Sequence, residues 1–157
     1  MEQFRILLLP FSWIYSLVLW IRNLMYNWNW KTTTPIQGKS ICIGNITVGG
    51  TGKSPLTAYI ATQLKDFNPV ILSRGYGRKT KGLLEAKPNT TVNELGDEPF
   101  MYWKHFSDQV PVVVAEKRLI GVNHIYQNHP NALILLDDAF QHRAVKAGLN
   151  IVLMTYN

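Results

Sequence analysis

Gly49, Gly50, Gly52, Lys53 and Ser54 fall within the stretch Gly44-Asn45-Ile46-Thr47-Val48-Gly49-Gly50-Thr51-Gly52-Lys53-Ser54, which follows an apolar run and opens a helical pattern. Glycines at a strand-to-helix turn let the backbone wrap a phosphate with its N–H groups pointing inward, and the helix N-terminus adds its dipole. In such a loop, residues Thr47, Val48, Gly49, Gly50, Thr51 and Gly52 cradle phosphate, Lys53 reaches the β- and γ-phosphates, and the Ser54 hydroxyl ligates Mg²⁺. Thr47 stands where the general pattern G-x-x-x-x-G-K-[ST] has its first glycine, so the motif is degenerate there. The strand-helix context still makes a nucleoside triphosphate site the strongest reading, ahead of a glycine-rich turn with an ordinary lysine.

A phosphate loop with Mg²⁺ calls for a carboxylate at the end of another buried strand. Leu133-Ile134-Leu135-Leu136-Asp137-Asp138 supplies two, one to bind the metal and one to position water or nucleophile. Which aspartate does which is open at this level. Gly96-Asp97-Glu98-Pro99 is a second acidic pair just before a helical pattern, where Asp97, taken alone, reads first as the helix N-cap. Arg74-Gly75-Tyr76-Gly77-Arg78 follows another apolar run, and two arginines at a strand end either clamp an anion or belong to a solvated basic loop. His105, His124, His129 and His142 show no metal-ligand spacing to one another or to Cys42.

These residues need a scaffold that brings strand ends together. Continuous apolar runs at Ser40–Gly44, Pro69–Ser73, Val110–Ala115, Ala132–Leu136 and Asn150–Met154 predict strands buried on both faces. Helical spacing over Lys53–Asp66, Pro99–Phe106 and Lys117–Gln127 falls between them. The expected fold class is α/β, P-loop NTPase-like, with a mainly parallel sheet flanked by helices. Residues 79–93 read as a long basic loop, and residues 30–39 as a polar connector.

The 157 residues, 46% apolar and 17% charged, suit one globular domain and exclude a disordered tail. A lone cysteine excludes an internal disulfide and a Cys-rich zinc site. The net charge of +6 points to an anionic partner, with nucleic acid, nucleotide phosphate and an acidic membrane surface all open.

Four of the five tryptophans, Trp13, Trp20, Trp28 and Trp30, lie in the first thirty residues. Ile6 to Ile21 carries no charge, but this run is shorter than the ~20 residues that span a bilayer. No small-x-small cleavage site follows it, so a removable signal peptide is disfavoured. With Pro10 in a first turn, the pattern predicts a helix from about Leu9 to Asn27. Arg5, Ser12, Ser16, Asn23 and Asn27 fall within roughly 60° on a helical wheel, leaving a very wide apolar arc. Such a helix is either buried against protein or lies in a membrane interface with its aromatics at headgroup depth, and the tryptophans favour the interface.

Five blocks together resemble the tetraacyldisaccharide 4'-kinase family of lipid A biosynthesis. They are Gly44-Asn45 through Lys53-Ser54-Pro55, Leu72 through Arg78, Gly96-Asp97-Glu98-Pro99, Val114 through Arg118, and Leu135 through Arg143. The family's phosphate loop tolerates a small hydroxyl residue at the position of Thr47. The resemblance implies transfer of the ATP γ-phosphoryl group to the 4'-hydroxyl of a tetraacyldisaccharide 1-phosphate, at the cytoplasmic face of the inner membrane of a Gram-negative bacterium. It also implies that residues 1–30 form a membrane-associated helix preceding a kinase core over residues 31–157.

Position by position, the resemblance implies that Lys53 binds β/γ-phosphate and that Ser54 with Asp137 or Asp138 handles Mg²⁺. Asp97 becomes the candidate base, Glu98 its assistant, and Arg74, Arg78 and Arg118 face anionic substrate or the transferring phosphate. Asp138 joins the catalytic set, while Gln141 and His142 match a block without an assignable role. Family members run to roughly twice this length, so the chain is expected to be the amino-terminal portion of such a kinase, lacking residues that include a histidine partnering the base.

Two rival readings stand beside this one. Another P-loop kinase or NTPase shares the phosphate loop, although no Asn-Lys-x-Asp guanine-reading motif is present. A non-catalytic nucleotide- or membrane-binding module would use the positive charge alone, but no stacking motif for nucleic acid accompanies the basic residues.

Overall fold

The computed structural model describes residues 2–28, 30–46 and 51–154, with the backbone alone for residues 2–12. The chain divides into two compact units, residues 1–33 and 34–157.

The first unit is helix α1, Glu2–Asn27. It begins a full two turns before the expected start, so Pro10 falls inside the helix and removes one backbone donor there. Trp13 is 75% exposed, and Ile14, Tyr15, Leu17, Val18, Trp20 and Ile21 are also exposed, as the wide apolar arc requires. Beyond the helix Trp28 and Trp30 pack edge to face at 5.8 Å, and the Lys31 ammonium sits 5.9 Å from the Tyr26 ring centre. No helix among the described residues is long and apolar enough to cross a membrane.

The second unit is an α/β sandwich built on a six-stranded sheet. In chain order its elements are β1 (Thr34–Pro35), β2 (Ser40–Asn45), α2 (Lys53–Gln63), β3 (Pro69–Ser73), β4 (Leu84–Glu85), α3 (Val92–Leu95), α4 (Asp97–Phe106), β5 (Val112–Val114), α5 (Arg118–Asn128), β6 (Leu133–Asp137), β7 (Val145–Lys146) and β8 (Leu149–Leu153). The strand order is β4-β5-β3-β6-β2-β8, parallel throughout except that β4 runs antiparallel to β5. The five expected strands and the helices between them are therefore present, within one or two residues at most ends.

Side-chain alternation sorts the core onto two faces. Cys42, Val70, Leu72, Val113, Ile134 and Leu136 face α5, meeting Val122 and Ile125. Ile71, Val112, Val114, Leu133 and Leu135 face the other way and meet Ala61 of α2 with Tyr102, Trp103 and Phe106 of α4. Parity places the next residue of β6, Asp137, on this second face, beneath α2 and α4. Because β2, β3, β5 and β6 are parallel, Asn45, Ser73, Val114 and Asp137 end at one edge of the sheet.

Two stretches read as irregular carry structure. The 79–93 segment contains β4, and its end is turned into α3 by a capping box in which Thr91 and Glu94 satisfy each other's backbone donors. Edge strand β4 is pinned by Glu85, whose two carboxylate oxygens meet His124 Nε2 at 2.6 Å and His129 Nε2 at 2.8 Å. The 30–39 connector contains β1, which pairs in parallel with β7 through Thr34 opposite Val145 and Pro35 opposite Lys146. Two-residue strands are too short to show any period in sequence.

Candidate active site

The carboxyl-terminal edge of the sheet gathers the chemistry, where open parallel sheets hold their ligands. Asn45 ends β2, and α2 starts at Lys53 after the loop. Thr47, Val48, Gly49 and Gly50 lie outside the described residues. Gly52 caps α2 with φ +79°, a left-handed conformation that glycine adopts without a Cβ clash. Lys53 Nζ donates to Asn45 Oδ1 at 2.9 Å and pairs with Asp138 Oδ1 at 2.9 Å. The lysine is thus held by one neutral and one anionic oxygen. Asp138 turns back toward it from a left-handed backbone, φ +50°, with its N–H donating to the Ile43 carbonyl at 3.0 Å.

Ser54, one residue on, donates its hydroxyl hydrogen bond to Glu98 Oε1. Asp97 and Glu98 are the first two residues of α4, where carboxylates favour the positive end of the helix dipole by about 0.3–1 kcal/mol. Gly96, not Asp97, is the N-cap, contrary to the cap reading of the sequence. A Cβ on Gly96, whose φ is +91°, would lie 2.6 Å from the Tyr76 carbonyl oxygen and 3.2 Å from the Gly75 carbonyl carbon. This backbone-on-backbone contact docks the start of α4 against the 74–78 loop. Asp97 itself is exposed, free to meet a substrate.

Asp137 is fully buried at the end of β6. Its Oδ1 receives only a long bond, 3.5 Å, from Thr57 of α2, and its Oδ2 has no partner. Burial, then the nearby charges of Glu98 and Asp138, push its pKa up to about 7 against the opposing pull of Tyr102 and Lys53. Tyr102, on α4 one turn after Glu98, buries its hydroxyl alongside Ser54, Thr57 and Asp137, also without a hydrogen-bond partner. Desolvation and the charge of Asp137 push its pKa upward. The Thr51 hydroxyl is a third buried polar atom left unpaired.

Unpaired buried oxygens beside a buried carboxylate fit a hard divalent cation, which would occupy the open lone pairs. Among the described residues no three His, Cys, Asp or Glu converge as a complete metal cage. Mg²⁺ suits that shortage, since it uses one or two carboxylates and completes its shell with phosphate oxygens and water. Ser54, Asp137 and Asp138 are the residues here that could hold it.

The three arginines differ. Arg74 is exposed at the rim. Arg118 opens α5 fully buried, donating to the Ala115 carbonyl at 2.6 Å with its Nε unpaired. Burial and the charge of Arg74 lower its pKa to about 10 against the pull of Asp137 and Asp138, so a cation lies beneath the acidic pair. Arg78 pairs with Glu116 at 2.5 Å and also donates to the Gly82 carbonyl and to Thr80. It braces the 74–83 loop, and touching substrate directly would mean breaking that pairing. The 74–81 loop and Glu116 line a recess of about 300 Å³.

Gln141 is exposed, while His142 is half-buried with Nδ1 unpaired. Burial, then the charge of Arg118, hold the His142 pKa below the ordinary imidazole value. Burial pushes the Cys42 thiol up to about 11, which excludes it as a nucleophile at neutral pH. Asn45, Thr57 and Tyr102 were assigned no role from sequence. Helical spacing supplies a signal for two of them: Thr57 lies four residues after Lys53, and Tyr102 four after Glu98, each on the same helix face.

Known proteins share this architecture. A tetraacyldisaccharide 4'-kinase of Phocaeicola vulgatus is 44% identical over 154 residues, covering 96% of this chain and 42% of its own length. One from Cytophaga hutchinsonii is 42% identical, covering 97% and 44%. The crystal structure of an "apo" form of LpxK from Aquifex aeolicus in complex with ATP superposes with a TM-score of 0.85 at 37% identity, covering 96% of this chain and 49% of that one. The chain therefore spans less than half the length of these relatives. The sequence profile of tetraacyldisaccharide-1-P 4'-kinase matches residues 4–157, and the chain belongs to that family.

Proposed function

We propose that the chain is the nucleotide-binding portion of a kinase that transfers the ATP γ-phosphoryl group to the 4'-hydroxyl of a tetraacyldisaccharide 1-phosphate, the lipid A precursor. The observation that carries this reading is the convergence of Lys53, Ser54, Glu98, Asp137 and Asp138 at one edge of the sheet, with the Asp137 and Tyr102 oxygens left unpaired. Family membership and the likeness to an ATP complex support it.

In this reading the glycine loop and Lys53 hold the β- and γ-phosphates, and Lys53 exchanges its contact with Asp138 for phosphate oxygen. Magnesium, when bound through Ser54 and the Asp137–Asp138 pair, neutralises charge on those phosphates. Asp97, exposed at the first turn of α4, accepts the proton of the 4'-hydroxyl as its oxygen bonds to the γ-phosphorus and the bond to the β-phosphate oxygen breaks, releasing ADP. Glu98 shapes the field around that base. Arg74 at the rim and Arg118 beneath it stabilise the negative charge of substrate and transferring phosphoryl, and Arg78 keeps the loop that carries Arg74 in shape. Positioning and charge neutralisation account for most of catalysis in phosphoryl transfer.

The first unit supplies the membrane side of the proposal. A helix exposing tryptophan, tyrosine and aliphatic side chains, with Arg22 and Lys31 toward its end, suits the interface of an anionic bilayer at the cytoplasmic face of the inner membrane of a Gram-negative bacterium. There it would meet an acylated substrate carried in the same membrane.

The test is a mass-spectrometric transfer assay on tetraacyldisaccharide 1-phosphate, run on residues 1–157, on the chain extended by the second half its relatives carry, and on Lys53→Ala of the extended form. The extended form is expected to make product, Lys53→Ala to lose it by roughly a thousandfold or more, and residues 1–157 to show no measurable turnover. Product unchanged by Lys53→Ala contradicts the mechanism.

A further inference from the structure

Tyr102 stands out among the residues that the reaction as described does not use. It is one of the largest fully buried side chains of the molecule, on the apolar face of α4 beside Trp103 and Phe106, where phenylalanine would fill the same space. Its hydroxyl nevertheless lies among Ser54 of α2, Thr57 of α2 and Asp137 of β6, near enough to favour the Asp137 carboxylate yet in hydrogen-bond geometry with none of them. Asp137 Oδ2, also buried, is likewise without a partner, and the bond from Thr57 to Oδ1 is long at 3.5 Å. Two unpaired buried oxygens, one able to donate and one able to accept, cost stability while the hydroxyl serves nothing.

That arrangement becomes favourable once a cation takes one oxygen of Asp137, because the second oxygen is then fixed to accept a charge-assisted bond and the hydroxyl is the neighbouring donor. We propose that Tyr102 is a positioning residue of the magnesium site, its hydroxyl orienting the Asp137 carboxylate and tying metal loading to helix α4, which carries Asp97 and Glu98. The inference rests on the nucleotide-binding reading above and deepens it. Outer partners of this kind orient metal-bound carboxylates and tune affinity. The same helix face presents Glu98 to Ser54 one turn earlier, so α4 touches the site twice through a four-residue spacing.

The experiment titrates Mg²⁺ into protein mixed with a fluorescent ATP analogue, for the wild type, Tyr102→Phe and Lys53→Ala, and measures binding of the analogue without Mg²⁺ and thermal unfolding of each ligand-free protein. Tyr102→Phe is expected to raise the half-saturating Mg²⁺ concentration roughly three- to tenfold, with metal-free analogue affinity unchanged and the ligand-free melting temperature unchanged or higher. A merely structural role would lower the melting temperature and leave the Mg²⁺ response alone. Wild-type behaviour of Tyr102→Phe in a protein that responds to Mg²⁺ overturns the Tyr102 assignment only. A wild type indifferent to Mg²⁺ and to Lys53→Ala overturns the nucleotide reading and the assignment with it.

Discussion

Glu85 and Asp137 are both carboxylates at strand ends, yet their surroundings are opposite. Burial pushes the Glu85 carboxyl up, but bonds from His124 and His129 outweigh it and hold the group below its usual range. His124 is itself oriented, with the Asn128 amide donating to its backbone carbonyl at 2.9 Å and lying 3.2 Å from its Nδ1. That amide leaves Nε2–H facing Glu85, so the trio is a hydrogen-bonded clamp with its donors and acceptors matched. Around Asp137 the same kinds of atoms are buried deeper and matched worse. The closed cluster at Glu85 braces the fold, whereas the open one at Asp137 is where the fold has left room for a ligand.

The contrast is breakable, most severely at the glycine that joins the 74–78 loop to α4. Gly96→Ala forces a Cβ against the Tyr76 carbonyl at positive φ, and is expected to destabilise the protein by about 2–4 kcal/mol and misplace Glu98. Chemical denaturation and analogue binding measure both effects, and a variant with wild-type stability would show the contact to be dispensable.

Asp137→Asn sharpens the contrast with an effect of opposite sign. A carboxyl whose folded pKa is raised above its unfolded value binds more protons when folded, so its contribution weakens as pH climbs from about 4 toward 7 and is least favourable above that. Removing the charge should therefore stabilise the ligand-free protein by about 1–3 kcal/mol at pH 8, less at pH 5, while abolishing the Mg²⁺ response. A destabilised Asp137→Asn would mean that the cluster is closed after all.

Glu85→Gln should give the smallest change, a loss of about 1 kcal/mol or less, since the clamp is partly solvated. Here the sign is reversed: a lowered folded pKa gives stability that is present above the unfolded value and fades as pH falls through the folded one. Melting curves between pH 3 and 7 check it, and binding of the ATP analogue should not change.

Much of this architecture was legible in the sequence because β2, β3, β5, β6 and β8 are covered by long apolar runs, and a run buried on both faces needs no alternation to be seen. Lys53, Ser54, the aspartate pair and the 74–78 arginines lie at or just beyond strand ends as their positions in the sequence suggested, while Thr47 to Gly50 fall outside the described residues. Strands β1, β4 and β7 were not, because two residues carry no period and their pairing comes from chain segments far away in sequence. Pro10 misled through a sound rule, since the helix runs through it from Glu2 despite the lost backbone donor. Gly96 as the cap escaped notice because its reason is a contact with Tyr76 and Gly75, twenty residues back. Tyr102 and Thr57 looked like ordinary core and helix residues until the sheet parity put Asp137 beneath them.

Strand β6 also governs the order in which the molecule can assemble. It lies between β2 and β3, neither of which hydrogen-bonds the other, so the centre of the sheet stays divided until residues 133–137 arrive. During synthesis the glycine loop and Lys53 emerge almost ninety residues before their acidic counterpart, and the earliest strands wait as unpaired edges. Contacts of such sequence separation make for slow closure. The insertion that joins the two halves of the sheet is the same event that delivers Asp137 and Asp138, so the nascent chain acquires its central core and its acidic pair together.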